Sequence, residues 1–314
     1  MLAGSSGYIG KTVADELTIL GYDIVCLVRG KTTRLNKNIK NYQVDVTNSK
    51  QMENFTKICP KINVIISCIG SKNGRLEDAW QVEYQANKNL LSLGAHYNID
   101  HFILLSAICV QRPKLEFQYA KLAFENKLTN SNINFTIVRP TAFFKSLSGQ
   151  IGNLKAGKKF IYFDEGDNTS CKPISQYDLA RYICGCIGSK TRMNKTLSIG
   201  GPGPAITPRQ MGLLLFKLLN KEPRFKSIPS KLFNYADTVL APFSLFSKRL
   251  RNTREFIKIA HYYATESMLF FNYKSQIYEA SFTPEFGNES LEDHYKKVIN
   301  SKNLEDELGA HKLF

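Results

Sequence analysis

Along the first half of the chain, short apolar runs alternate with stretches in which apolar residues recur every three or four positions. The runs are Ile24-Val25-Cys26-Leu27-Val28, Asn41-Tyr42-Gln43-Val44-Asp45-Val46, Val64-Ile65-Ile66-Ser67-Cys68-Ile69, His101-Phe102-Ile103-Leu104-Leu105-Ser106 and Phe135-Thr136-Ile137-Val138-Arg139-Pro140. Helical spacing lies between them, for example over 80–97 and 119–128. Apolar strands linked by helices predict an α/β fold with a doubly wound parallel sheet, whose chemistry collects at the carboxyl ends of the strands. Those ends carry Gly4, Arg29, Asp45, Ser67, Ser106 and Pro140-Thr141. From about residue 145 the pattern loosens, with Gly149, Gly157 and Gly166 as punctuation and a rigid turn at Gly200-Gly201-Pro202-Gly203-Pro204. A Rossmann-type domain over 1–145 is therefore expected, with a smaller substrate lobe over 146–314 partly interleaved with it.

The opening residues add chemistry to this pattern. Gly4, Gly7 and Gly10 form a G-x-x-G-x-x-G loop that runs into helical spacing from Lys11. Glycines there let backbone N–H groups approach a pyrophosphate, and the helix that follows aims its positive dipole end at the same anion. The spacing is similar to that of the extended and atypical short-chain dehydrogenase/reductases. Gly4, Ser5, Gly7, Tyr8, Ile9 and Gly10 are the first cofactor-binding candidates. Only Met1 to Ala3 precede the loop, so the first strand reads as clipped.

Composition narrows the class. At 314 residues with 43% hydrophobic content, the chain can bury a large core, and it has no apolar run long enough to span a bilayer. The net charge of +15 invites a nucleic-acid reading, but the lysines are scattered among asparagines, the mark of an AT-rich coding bias. A basic surface instead favours acidic small molecules or anionic membranes. The seven cysteines include no C-x-x-C pair and sit largely in apolar runs, as thiols do in a reduced compartment. No spacing resembles a zinc or iron–sulfur site, so no metal is expected and electrons should arrive from a nicotinamide.

At the end of the second strand stands Arg29, where an NAD-binding enzyme usually presents an acid to the ribose. A cation suits a 2′-phosphate, so NADPH is the expected cofactor, with Lys31 or Arg34 assisting. Asp45, followed by Val46, suits the adenine edge, or else caps the next helix. Ser67, Pro140 and Thr141 complete the cofactor list. Ser106 ends the fifth strand, where short-chain reductases place a Ser or Thr, and Lys121 matches the lysine of their Y-x-x-x-K motif. Both are catalytic candidates, and Lys121 should also hold the ribose. The tyrosine of that motif is replaced by Phe117, and Tyr119 lies on another helix face. A phenyl ring cannot donate a proton to a carbonyl.

Longer stretches carry a closer resemblance. Leu104-Leu105-Ser106-Ala107-Ile108-Cys109-Val110-Gln111, Cys171-Lys172-Pro173-Ile174-Ser175 and Tyr262-Tyr263-Ala264-Thr265-Glu266-Ser267-Met268 resemble the NADPH-dependent divinyl chlorophyllide 8-vinyl-reductases. So do Leu115-Glu116-Phe117-Gln118, Val138-Arg139-Pro140-Thr141-Ala142-Phe143-Phe144 and Ile199-Gly200-Gly201-Pro202-Gly203, and the likeness spans essentially the whole chain. It implies reduction of the 8-vinyl group of a divinyl (proto)chlorophyllide, a tetrapyrrole whose macrocycle delocalises the negative charge and makes the phenol dispensable. Phe143, Phe144, His261, Tyr262 and Tyr263 are the implied substrate-binding residues, His261 standing where an arginine would be expected. A non-catalytic NADP-binding redox sensor or photosystem-assembly factor of the same fold is the alternative. The stripe Leu232, Ala236, Val239, Leu240 and Phe243 reads as core, although its basic end (Lys248, Arg249, Arg251) also suits a membrane surface such as the thylakoid. The expected setting is a cyanobacterium-like cytoplasm, with the plastid stroma as the alternative.

Overall fold

The computed structural model describes residues 1–30, 39–71 and 76–301. The chain begins β1 (Leu2–Ala3), α1 (Tyr8–Ile19), β2 (Ile24–Val28), β3 (Ile39–Gln43), α2 (Ser49–Thr56) and β4 (Val64–Ser67). After α3 (Leu76–Asp78) comes a π-helical turn, Ala79–Gln85, that flows into α4 (Ala86–His96). Then follow β5 (His101–Leu105), α5 (Glu116–Thr129), β6 (Phe135–Pro140), α6 (Ile151–Lys155), β7 (Phe160–Phe163), α7 (Gln176–Cys184) and β8 (Lys195–Ile199). The remainder holds α8 (Pro208–Leu218), β9 (Phe225–Ile228), α9 (Lys231–Leu240), α10 (Lys248–Thr265), β10 (Phe270–Asn272), β11 (Ile277–Glu279) and α11 (Leu291–Asn300).

Seven strands form one sheet in the order β3-β2-β1-β4-β5-β6-β8. Every residue of β2 and β5 is buried, as the continuous apolar runs require when helices cover both faces. The strand order reverses between β1 and β4, and at such a switch point an open crevice forms beyond the strand ends. Helix α1 buries Ile9, Val13, Ala14 and Leu17 and stops at Gly21, whose φ of +78° suits glycine. There the amide of Tyr22 bonds the Leu17 carbonyl and that of Gly21 bonds Thr18, which closes the helix end.

The chain divides into two compact units, Met1–Pro140 with Gln176–Ser198, and Thr141–Ser175 with Ile199–Phe314. The first unit thus ends at Pro140 rather than 145, and it recovers 176–198 later. The reason is packing: α7 buries Leu179, Ala180, Ile183 and Cys184, and the Cys184 thiol reaches the Val13 carbonyl of α1 at 3.9 Å. In the second unit, β7 pairs with β9 in parallel and β10 with β11 in antiparallel. Phe144 and Tyr295 are fully enclosed there, and the ring of His294 lies 5.3 Å from that of Phe144.

His294 makes this packing pH-sensitive. Its Nε2 sits 3.0 Å from the Ser148 hydroxyl, and burial, with Lys297 adding to it, holds the imidazole down to about 4. The unfolded chain therefore takes up the proton first, near 6.5. The stabilisation is complete above about pH 6.5 and is lost as the pH falls toward 4, amounting to about 3 kcal/mol. Urea unfolding of wild type and His294→Gln across this range should give curves that diverge by that amount. Parallel curves would show that the histidine titrates normally.

Candidate active site

The glycine loop sits where β1, β4 and α1 meet. A Cβ built on Gly4 (φ +85°) would lie 2.5 Å from the Cys68 carbonyl oxygen, and one on Gly10 would collide with the Gly4 carbonyl. Backbone fills this space so closely that only glycine fits at either end. The Gly7 amide bonds the Gly4 carbonyl at 2.9 Å, which folds the loop, and Gly7 as the helix N-cap supplies no side chain to the first-turn amides. Those donors suit an anionic diphosphate, so the cradle fits the dinucleotide it was expected to hold. Within it Ser5 and Ile9 are buried, and Tyr8 is half-buried.

Other candidates fall at the carboxyl ends of neighbouring strands. Arg29 follows β2 and is exposed, with its carbonyl accepting a bond from the Gln43 amide group at 3.4 Å. Lys31 and Arg34 lie outside the described residues. The Asp45 carboxylate accepts from the Thr47 amide and hydroxyl at 3.0 and 2.8 Å, while Asn48 caps α2 by accepting from the Gln51 amide. Asp45 is thus a turn residue, not the helix cap. Val46 is buried, and its carbonyl accepts from Asn89 at 2.8 Å. Ser67, fully buried, donates to Asn87 at 2.5 Å.

Lys121 meets a partner that sequence reasoning missed. Its ammonium lies 2.7 Å from Oε2 of Glu83, a carboxylate only 2% exposed. The other oxygen of Glu83 accepts from the Ser71 amide and hydroxyl at 2.8 and 2.9 Å. Glu83 belongs to the π-helical turn, a local widening of the kind that recurs at functional sites. Asn87 in turn donates to the Glu83 carbonyl at 2.8 Å. A signal was present in the sequence: Glu83 falls in the stripe Ala79, Glu83, Ala86, Asn87 and Leu90, all of them buried, and a charge on a buried stripe needs a partner.

Ser106 directly follows β5, at the strand end where it was expected. Its hydroxyl donates to Glu125 at 2.5 Å, and Glu125, itself buried, also holds the Arg139 guanidinium through both carboxylate oxygens. With its proton engaged, Ser106 offers lone pairs to a ligand rather than a proton. Gln118 locks the start of α5, accepting from the amides of Lys114 and Leu115 and donating to the Cys109 carbonyl. Phe117 and Lys121 lie one turn apart on that helix. Tyr119 is 46% exposed and donates its phenol to the Pro113 carbonyl, away from the lysine's helix face.

In the second unit the motif segments meet one another. Phe143 bridges Ile174, the Thr141 hydroxyl donates to the Lys172 carbonyl, and Gly201 bonds that same carbonyl. The Ser267 hydroxyl accepts from the Ser170 amide at 3.0 Å, and Lys172 pairs with Glu285. Phe143 is half-buried, whereas the Phe144 ring is spent on core packing. On α10, Tyr262 is buried edge-on to Tyr263, and His261 faces the Phe233 ring at 6.0 Å. Burial pushes the Cys171 and Cys184 thiols up to about 12, so neither is a thiolate nucleophile at neutral pH.

Residues 4–190 match the NAD(P)H-binding family. The NADPH-dependent quinone oxidoreductase QOR2 of Escherichia coli has a similar fold, with a TM-score of 0.69 at 15% identity over 95% of this chain and 99% of that one. Sequence likeness goes further. The chloroplastic divinyl chlorophyllide a 8-vinyl-reductase of Cucumis sativus is 38% identical over all of this chain and 79% of its own length. This chain belongs to the divinyl chlorophyllide a 8-vinyl-reductase family. The Arabidopsis thaliana member is 39% identical over 98% of this chain and 78% of its own length. For this reductase the Glu83–Lys121 pair is the firmest feature of the site, because both side chains are withdrawn from water.

Breaking one side of a buried pair leaves a charge without compensation, at about 3–5 kcal/mol in the general case. Glu83→Gln keeps an acceptor for Ser71 but removes the charge, so a loss of about 2–4 kcal/mol is expected. Lys121→Met in the same molecule should restore part of it. A double-mutant cycle by urea unfolding measures the coupling, and strict additivity would mean the two groups do not interact.

Proposed function

We propose that the chain reduces the 8-vinyl group of divinyl chlorophyllide or protochlorophyllide to ethyl, with NADPH as reductant, in chlorophyll biosynthesis. The observation that carries this reading is the arrangement on α5: a lysine clamped by a carboxylate, a phenyl ring one turn before it, and the neighbouring phenol tied outward to a backbone carbonyl. That arrangement lacks the phenol with which a carbonyl reductase polarises its substrate, and a vinyl group conjugated to a tetrapyrrole does not call for one. Hydride adds at one vinyl carbon, the macrocycle delocalises the resulting charge, and a proton taken up from water at the other carbon completes the ethyl group.

When bound, the nicotinamide supplies a hydride. The chain's own residues supply position. The glycine loop and the first turn of α1 hold the diphosphate, Arg29 meets the 2′-phosphate, and Lys121, kept in place by Glu83, contacts the ribose. Ser106, anchored by Glu125, fixes the end of β5. In the second unit Phe143, Tyr263 and His261 are the residues we assign to the macrocycle, with Tyr262 supporting Tyr263 from beneath. The chloroplastic relatives support the plastid stroma as the setting, over the cyanobacterium-like cytoplasm that the lysine–asparagine bias favoured.

Incubation with divinyl chlorophyllide and NADPH should shift the Soret band as the vinyl group becomes ethyl. Tight NADPH binding with an unmoved Soret band would instead mark a non-catalytic sensor or assembly factor. Cofactor choice is tested separately. Arg29→Ala should weaken NADPH binding by about 1–3 kcal/mol, the scale of a charge-assisted contact, and leave NADH binding nearly unchanged. Calorimetric titrations giving wild type equal affinity for both dinucleotides would remove Arg29 from the site.

A further inference from the structure

The stripe expected to be core is on the outside. No residue of α9 is buried. Leu232, Tyr235 and Val239 lie on one side of it at helical spacing, and all are exposed, Tyr235 at 72%. The opposite side holds α9 to its unit: the Phe233 ring packs against Phe163 at 5.1 Å, and Asp237 pairs with Arg254 of α10 at 2.6 Å. The apolar side continues past the helix through Phe243 and Phe246, the latter 91% exposed. Pro242 and the turn Phe243–Leu245 separate α9 from α10 and set these two rings at the tip of the helical pair. Contiguous exposed apolar residues on this scale mark a docking face.

Charge decides what docks. From 226 to 254 the chain carries six cations and one carboxylate, and that carboxylate, Asp237, is already paired. Lys231, Lys248, Arg249 and Arg251 are all exposed around the apolar rings. A second copy of this chain would bring the same cationic rim, and a net charge of +15, against itself. An anionic lipid surface complements both features at once, accepting aromatic rings below its headgroups while lysines and arginines remain at the charged plane. Among the described residues no helix is long and apolar enough to cross a membrane. We infer that α9, the Phe243–Phe246 turn and the first turn of α10 form a surface that inserts shallowly into anionic bilayers, lying in the interface rather than crossing it. This inference is independent of the reaction proposed above.

The test is co-sedimentation of the full chain with vesicles of phosphatidylcholine alone and of phosphatidylcholine with phosphatidylglycerol. Binding to the anionic vesicles should be at least about tenfold tighter than to the neutral ones and should weaken with added salt. Phe243→Ser with Phe246→Ser, both exposed, should cost at least about tenfold in affinity with no change in thermal unfolding. Arg249→Glu with Arg251→Glu should do the same. In Phe246→Trp, anionic vesicles should blue-shift the emission gained over wild type. Unaltered binding in the serine variant, or an unshifted emission, would overturn the inference. So would a self-association, seen by sedimentation velocity, that the serine variant abolishes, because the face would then be a protein interface.

Discussion

Everything at the cofactor end of the sheet depends on a pair of close backbone approaches, that of Gly4 to the carbonyl of Cys68 and that of Gly10 to the carbonyl of Gly4. The first brings the exit of β1 against the exit of β4 at the point where strand order reverses. From there a chain of hydrogen bonds runs outward. Ser67 donates to Asn87, Asn87 to the Glu83 backbone, and the Glu83 carboxylate receives Lys121 from α5. A side chain at Gly4 would push against the backbone that leaves β4, and one at Gly10 would push against the loop itself at Gly4 and Ser5. The contact that folds the glycine loop is thereby linked, bond by bond, to the Glu83–Lys121 pair.

Much of this was legible in the sequence because it is local. Buried parallel strands such as Ile24–Val28 and His101–Leu105 announce themselves as unbroken apolar runs, and the glycine loop needs only three residues at fixed spacing. Gly21 ended α1 as read. The expectation that Tyr119 points away from Lys121 follows from helical geometry alone, and the Tyr119–Pro113 bond agrees with it. What escaped was non-local. Glu83 and Lys121 are 38 positions apart, Ser106 and Glu125 are 19 apart, and nothing in either neighbourhood names the partner. Strand β8 and helix α7 return to the first unit after a long excursion, and no periodicity reports where a helix goes back to pack.

The stripe at 232–243 misled for a different reason. Apolar residues at helical spacing tell which face is apolar, not which face is inward. Here aromatic packing of Phe233 and the Asp237–Arg254 pair anchor the other side, so the apolar face is left to solvent. The motifs that carried the family resemblance in the second half prove to be each other's neighbours. Segments around Phe143, Lys172, Gly201 and Met268 interlock through backbone bonds. Their distinctiveness reflects a shared framework as much as contact with a ligand. Of the residues proposed to meet the substrate, Phe143, Tyr263 and His261 are left partly open, whereas Phe144 and Tyr262 are buried.

We propose that this fold, lacking the phenol of a carbonyl reductase, delivers a hydride from its dinucleotide to a vinyl carbon of the substrate. Reduction of divinyl chlorophyllide with NADPH deuterated at the transferring position of the nicotinamide tests it most directly. Mass spectrometry of the product should find a single deuterium, located in the new ethyl group and supplied by one face of the nicotinamide only. Product formed without deuterium from either face, or label in any other part of the macrocycle, would rule out hydride delivery to the vinyl group.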